Sequence, residues 1–206
     1  MKRFLLTLTV FVAGLSVIAP DINAQTKPAD SRFQERMDTW HKDMAEFRAR
    51  SEQNRELRDL ADSLAGVQAM ASVRNQDFVL EADQVTFKNG MTTFVNSNTN
   101  FISVKGNRAV VQISPSNFAS GPNGLGGVTV DGMITSKQIM TDKKGRVTYQ
   151  INVMGVGINA QVEIYMVPGS NNASATIYPN FNSNTVWLEG NIVPYENSNV
   201  IEGSSL

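Results

Sequence analysis

The chain has 206 residues, no cysteine, one histidine and 18 basic against 19 acidic side chains. Near-balanced charge excludes a nucleic-acid binder that relies on a broad basic field. The lack of cysteine excludes a disulfide scaffold, a thiolate metal site, a cysteine nucleophile and a lipid-modified cysteine. With His41 the sole imidazole, a Ser-His-Asp triad would hang on that residue and a multi-histidine zinc site cannot be built.

Taken in chain order, Lys2 and Arg3 precede an apolar run from Phe4 to Ala19, and Ile22-Asn23-Ala24 supplies residues that a signal peptidase reads. This predicts a cleavable signal peptide over residues 1–24. The run of 16 residues, with Gly14, Ser16 and Pro20 at its end, falls short of the roughly 20 apolar residues of a spanning helix. The mature chain is expected in the periplasm or outside the cell, without a stable membrane span.

Residues 25–74 form a charged segment. From Gln25 to Asp62 there are 17 charged side chains in 38 residues, against another 17 in the 144 that follow. Phe33, Met37, Trp40, Met44 and Phe47 recur at helical spacing, so all five share one face of an amphipathic helix. Ser51 and Asn54 break the repeat, and Leu57, Leu60, Leu64, Val67 and Ala71 resume it in another phase. That predicts either two helical segments or one helix with a polar interruption. Asp30 or Ser31 is the expected N-cap, and Glu46 with Arg50 an intrahelical ion pair. An apolar face of this kind packs on the chain's own β domain or docks a partner helix.

Residues 75–206 change period from 3.6 to two. Phe78, Leu80 and Ala82 alternate with polar neighbours, and Asn89-Gly90 and Lys105-Gly106-Asn107-Arg108 mark hairpin turns. Val128, Val130 and Ile134 follow a glycine-rich loop; Asp142-Lys143-Lys144-Gly145 turns into Val147, Tyr149, Ile151 and Val153; Ala160, Val162, Ile164 and Met166 repeat the pattern. Ala173, Ala175 and Ile177, then Val186, Leu188 and Ile192, complete it. The predicted fold is mainly β with an N-terminal helical segment: an antiparallel meander of about eight strands forming a sandwich or open barrel.

Six segments, among them Phe78-Val79-Leu80-Glu81-Ala82-Asp83-Gln84, Arg108-Ala109-Val110-Val111-Gln112-Ile113, Gly121-Pro122-Asn123-Gly124-Leu125-Gly126-Gly127 and Glu202-Gly203-Ser204-Ser205-Leu206, resemble a secreted bacterial family of Bacteroides-type envelopes, domain of unknown function 4251. The resemblance spans residues 78–206. It implies an exported β-rich domain behind a charged helical stretch, and it brings no activity or site residues with it.

Candidate sites follow from the residues themselves. The loop Gly121 to Gly127 leads into a strand, whereas a phosphate cradle opens a helix, so it reads as a tight connection. Glu81, Asp83, Glu163 and Glu189 lie opposite apolar positions and read as solvated acids. Outward-facing Tyr165 and Trp187, with Glu189 and the amides Gln150, Asn152 and Gln161, form the kind of surface that stacks sugars or contacts peptides. Tyr165, Trp187 and Glu189 are therefore the candidate binding residues. The expectation is a non-enzymatic domain, without cofactor or metal, that binds an envelope protein or glycan and no nucleic acid. The alternative is a lipocalin-like carrier of a small apolar ligand, lined by Val147, Ile151, Val162, Ile164 and Leu188.

Overall fold

The structure is a computed structural model and describes residues 29–115, 127–156, 159–180 and 184–205. The predicted signal peptide and the glycines from Gly121 to Gly126 lie outside the described residues. Among the described residues one helix, α1 (Ala29–Asn75), precedes nine strands: β1 (Asp77–Phe87), β2 (Thr92–Phe94), β3 (Phe101–Lys105), β4 (Arg108–Ile113), β5 (Val128–Thr141), β6 (Val147–Gly155), β7 (Asn159–Met166), β8 (Asn172–Pro179) and β9 (Val186–Pro194). A single 3-10 turn, Tyr195–Asn197, follows.

All pairings are antiparallel, in the order β2-β1-β3-β4-β5-β6-β7-β8-β9, and β1 also pairs with β9. Eight strands therefore close on themselves, with β2 as one extra strand beside the second half of β1. The expected antiparallel meander of about eight strands behind a helix is present, and of the two expected forms it takes the barrel, closed where an open one was expected, and not the sandwich. Closure rests on a seam that no local pattern announces. The β1–β9 register shifts between Ala82 and Gln84, and Gly190 stands at the shift, opposite Ala82. A side chain at Gly190 would run into the β1 backbone at Glu81 and Ala82, so glycine is required there by close approach.

Period-two burial is clearest on β6, β7 and β8, whereas β3 and β4 are buried on both faces and β5 is exposed from Thr135 to Thr141. Phe78, Leu80, Ile102, Val104, Val111, Val130, Val153, Ile164, Ile177 and Ile192 point inward and are buried, and so are the expected lining residues Val147, Ile151, Val162, Ile164 and Leu188. The turns fall where they were expected. Gly90, Gly106 and Gly145 all carry positive φ, and the Asp142 carboxylate accepts backbone N–H bonds from Lys144 and Arg146. Phe78 and Tyr149 meet inside the barrel as an edge-to-face pair, ring centroids 5.6 Å apart. Counting round the ring, β1 and β6 lie on opposite walls, so this contact spans the lumen.

The helix divides into two compact portions at Arg50/Ser51, the second belonging with the barrel. It begins at Ala29, which places Asp30 within the first turn. No interruption occurs at Ser51 to Asn54, and the Glu46–Arg50 ion pair is present at 3.4 Å. The face that packs into the barrel core differs from the predicted one. Gly66, Ala69, Ser72 and Val73 are buried and Met70 packs against the core, while Leu57, Leu60, Leu64 and Val67 are 57–66% exposed. The reason is clearance: a Cβ at Gly66 would sit 2.8 Å from the backbone nitrogen of Ser170 in the β7–β8 turn. Only small side chains admit so close an approach, so the bulky stripe turns away.

Candidate functional site

Two outer faces of the barrel have organised side chains. The first covers β5 to β9, where the register sets outward residues in three rows. One row runs Gln138, Gln150, Glu163, Thr176, Trp187, Thr86. A second runs Ser136, Asn152, Gln161, Tyr178. The third runs Met140, Thr148, Tyr165, Ser174, Glu189, Gln84. Among these sixteen positions only Glu163 and Glu189 are charged, and the rest are amides, hydroxyls, aromatics and the single methionine Met140.

The structure puts all three predicted residues on this face and separates them. Trp187 occupies the first row and is 39% exposed. Tyr165 and Glu189 share the third row, with Ser174 between them. Tyr165 is half-buried and also engages Arg146, whose guanidinium is held above its ordinary pKa first by Asp142 and then by the Tyr165 hydroxyl. Sequence reasoning missed Tyr178, which is 43% exposed. It lies one strand over and two residues along from the position opposite Trp187, a diagonal of about 7–8 Å. The alternation that put Ala173, Ala175 and Ile177 inside already pointed Tyr178 outward. Gln150 donates to Glu163 at 2.8 Å, and Ser136, Gln138, Gln150, Asn152 and Gln161 line a shallow depression of about 110 Å^3.

The second face covers β1, β3, β4 and β5 and is occupied by the chain's own end. Val193, Tyr195 and Val200 pack on a small apolar floor of Val79, Phe101 and Val110, and Lys105 Nζ stands 4.4 Å from the centre of the Tyr195 ring. The Gln112 side chain, fully buried, clasps the backbone beyond. Its Nε2 donates to Ile201 O at 2.8 Å and its Oε1 accepts from Gly203 N at 2.7 Å. Arg108 donates to Glu202 at 3.0 Å, Ile201 N donates to Asn98 O, and Ser198 donates to Glu81 at 2.6 Å. In sequence, Gln112 looked like one more polar residue beside buried valines, and its partner lies 91 positions away, so no local signal marked it.

His41 stays on the helix, its ring edge-on to Trp40 at 5.0 Å. Among the described residues no three His, Asp or Glu side chains gather as a metal site, and no helix is long and apolar enough to cross a membrane.

The comparisons agree with one another. The profile of a family described as Domain of unknown function (DUF4251) matches residues 62–192. The chain is also similar to a crystal structure of a DUF4251 family protein from Bacteroides eggerthii, with 46% identity and a TM-score of 0.61, over 68% of this chain and 95% of that one. No curated protein matches. A family profile covering more than half of the residues, and a solved relative at 46% identity, establish that this chain belongs to the DUF4251 family.

Proposed function

We propose that the chain is an exported, non-enzymatic envelope domain that binds a neutral glycan on the outer face of β5 to β9. The observation that carries this reading is the composition of the three outward rows: exposed Trp187 and Tyr178 on a diagonal, surrounded by amides and hydroxyls with two carboxylates. Aromatic faces offer apolar area to a sugar ring, and neighbouring amides donate and accept around its rim. An anionic ligand would call for positive charge, which these rows lack. Export is supported by the Lys2-Arg3 start, the apolar run and the Ile22-Asn23-Ala24 end. The non-enzymatic reading is supported by a β domain with neither histidine nor cysteine.

An array of neutral oligosaccharides tests it. Trp187→Ala is expected to weaken the strongest array ligand at least tenfold, about 1.4 kcal/mol, with the melting temperature nearly unchanged because the side chain faces outward. Equal array signals from parent and variant, or capture of an envelope protein in place of any glycan, would end the glycan reading.

One observation favours the carrier as a second reading. The Tyr149 hydroxyl is buried inside the barrel and no described residue hydrogen-bonds to it, and burial raises its pKa. A ligand's acceptor would satisfy it. On that reading Tyr149→Phe costs about 1 kcal/mol of stability and releases a small molecule that co-purifies in native mass spectrometry. A variant more stable than its parent, with no co-purifying mass in either, ends the carrier reading. The Phe78–Tyr149 contact across the lumen already fills the layer where such a ligand would sit.

A further inference from the structure

The face under the chain's end has the parts of a peptide site. It has an apolar floor in Val79, Phe101 and Val110, each at most 1% exposed. It has a backbone clasp in Gln112, which reads one C=O and one N–H of the strap just as a neighbouring strand would. Its hook for an acid is Arg108. Val200-Ile201-Glu202-Gly203 supplies the matching pattern: Val200 packs on the floor, the Ile201 C=O and Gly203 N–H meet Gln112, and the Glu202 carboxylate meets Arg108.

The receptor side is held in position by the barrel and does not depend on the strap. Asp131 grips Arg108 through two bonds of 2.8 Å, leaving the same Nη2 to reach Glu202 at 3.0 Å. Gln112 is oriented by Thr129, which donates to its Oε1 at 2.8 Å, and by Thr99 O, which accepts from its Nε2 at 3.0 Å. Preorganised groups of this kind lose little freedom when a ligand arrives. The strap itself hangs from Pro194 through a single short 3-10 turn and its ion pair with Arg108 is between a third and a half exposed. Such a pair contributes little to stability, so its value is selectivity.

We infer that this groove accepts the C-terminal segment of a second copy of the chain, so that two copies can exchange straps. Residues 198–203 already make these contacts: Ser198 Oγ with Glu81, Ile201 N with Asn98 O, Ile201 O and Gly203 N with Gln112, and Glu202 with Arg108. In a single copy the tethered strap competes at an effective concentration on the order of millimolar, so the parent keeps its own strap.

Two full-length charge variants expose the exchange. Glu202→Arg sets like charges against each other at Arg108 and loosens its own strap, and Arg108→Glu does the same from the groove side. Alone, each is expected to show no more dimer than the parent. Mixed in equal amounts, the native glutamate of one strap meets the native Arg108 of the other copy, and the reversed pair meets in the second groove. A 1:1 pair is expected in native mass spectrometry, at least tenfold more abundant than the dimer of either variant alone. Absence of that pair in a mixture of two folded variants overturns the inference. If Arg108→Glu fails to fold beside Asp131, a labelled peptide of residues 195–205 decides it. The Glu202→Arg chain should then bind the native peptide at least tenfold more tightly than the parent does, and more tightly than a peptide with Glu202→Lys; equal binding in either comparison overturns it.

Discussion

Phe78→Ala is expected to be the most damaging single truncation in the barrel, lowering unfolding free energy by about 3–5 kcal/mol. Phe78 is fully buried, stands between Val104 of β3 and Pro194 of β9 in the register, and reaches across the lumen to Tyr149. Removing its ring takes away the edge-to-face pair and leaves a hollow bounded by two opposite walls, which cannot both move inward without breaking the closed ladder. Collapse is thus restricted, which puts the cost at the upper end of the range for phenylalanine. Urea titration followed by tryptophan fluorescence measures it, with unchanged m required for a clean comparison. The same hollow should admit a small apolar molecule, so added benzene is expected to recover part of the loss. A cost below about 1 kcal/mol would mean that the layer between Phe78 and Tyr149 is not packed as described.

Gln112→Leu comes next, at about 2–4 kcal/mol. The substitution is close in size, so the loss is one of pairing. Four hydrogen bonds disappear, and Thr129, Thr99, Ile201 and Gly203 each lose a partner. A buried polar group left unmatched costs about 1–3 kcal/mol. The total stays below four times that figure because Ile201 and Gly203 recover water when the strap lifts. Amide hydrogen exchange separates the two contributions. The Ile201 and Gly203 amides should lose protection while β6 and β7 keep theirs. Uniform loss of protection through the barrel would instead make Gln112 part of the global core.

Much of this fold was legible because its signals are local. Val147 to Val153 and Ala160 to Met166 alternate cleanly, and Asn89-Gly90 and Asp142 to Gly145 carry turn chemistry in four residues or fewer. The closure was not legible, because it depends on Gly190 meeting Ala82 across more than a hundred residues. The helix face was misjudged for a different reason. Hydrophobic size was taken as the mark of burial for Leu57, Leu60 and Leu64, whereas nearness to the Ser170 backbone selects Gly66 and Ala69. At the candidate site, Tyr165, Trp187 and Glu189 followed from parity alone, and Tyr178 follows from the same rule. Which of them are neighbours needed the register, and the strap on Gln112 needed the fold.

The seam between β1 and β9 also sets the order of events during synthesis. β1 leaves the ribosome early, and by the time β9 appears some hundred residues have followed it. Until then the β1 side of the seam, with Leu80 and Val85 on its inner face, is an open edge of unpaired N–H and C=O groups, the usual template for intermolecular pairing. Contacts so distant in sequence form slowly, so this edge is unpaired through much of folding. β2, bonded to β1 over Gln84 to Thr86, lies on the other edge of β1, beyond the end of β3, so the seam edge stays open until β9 arrives.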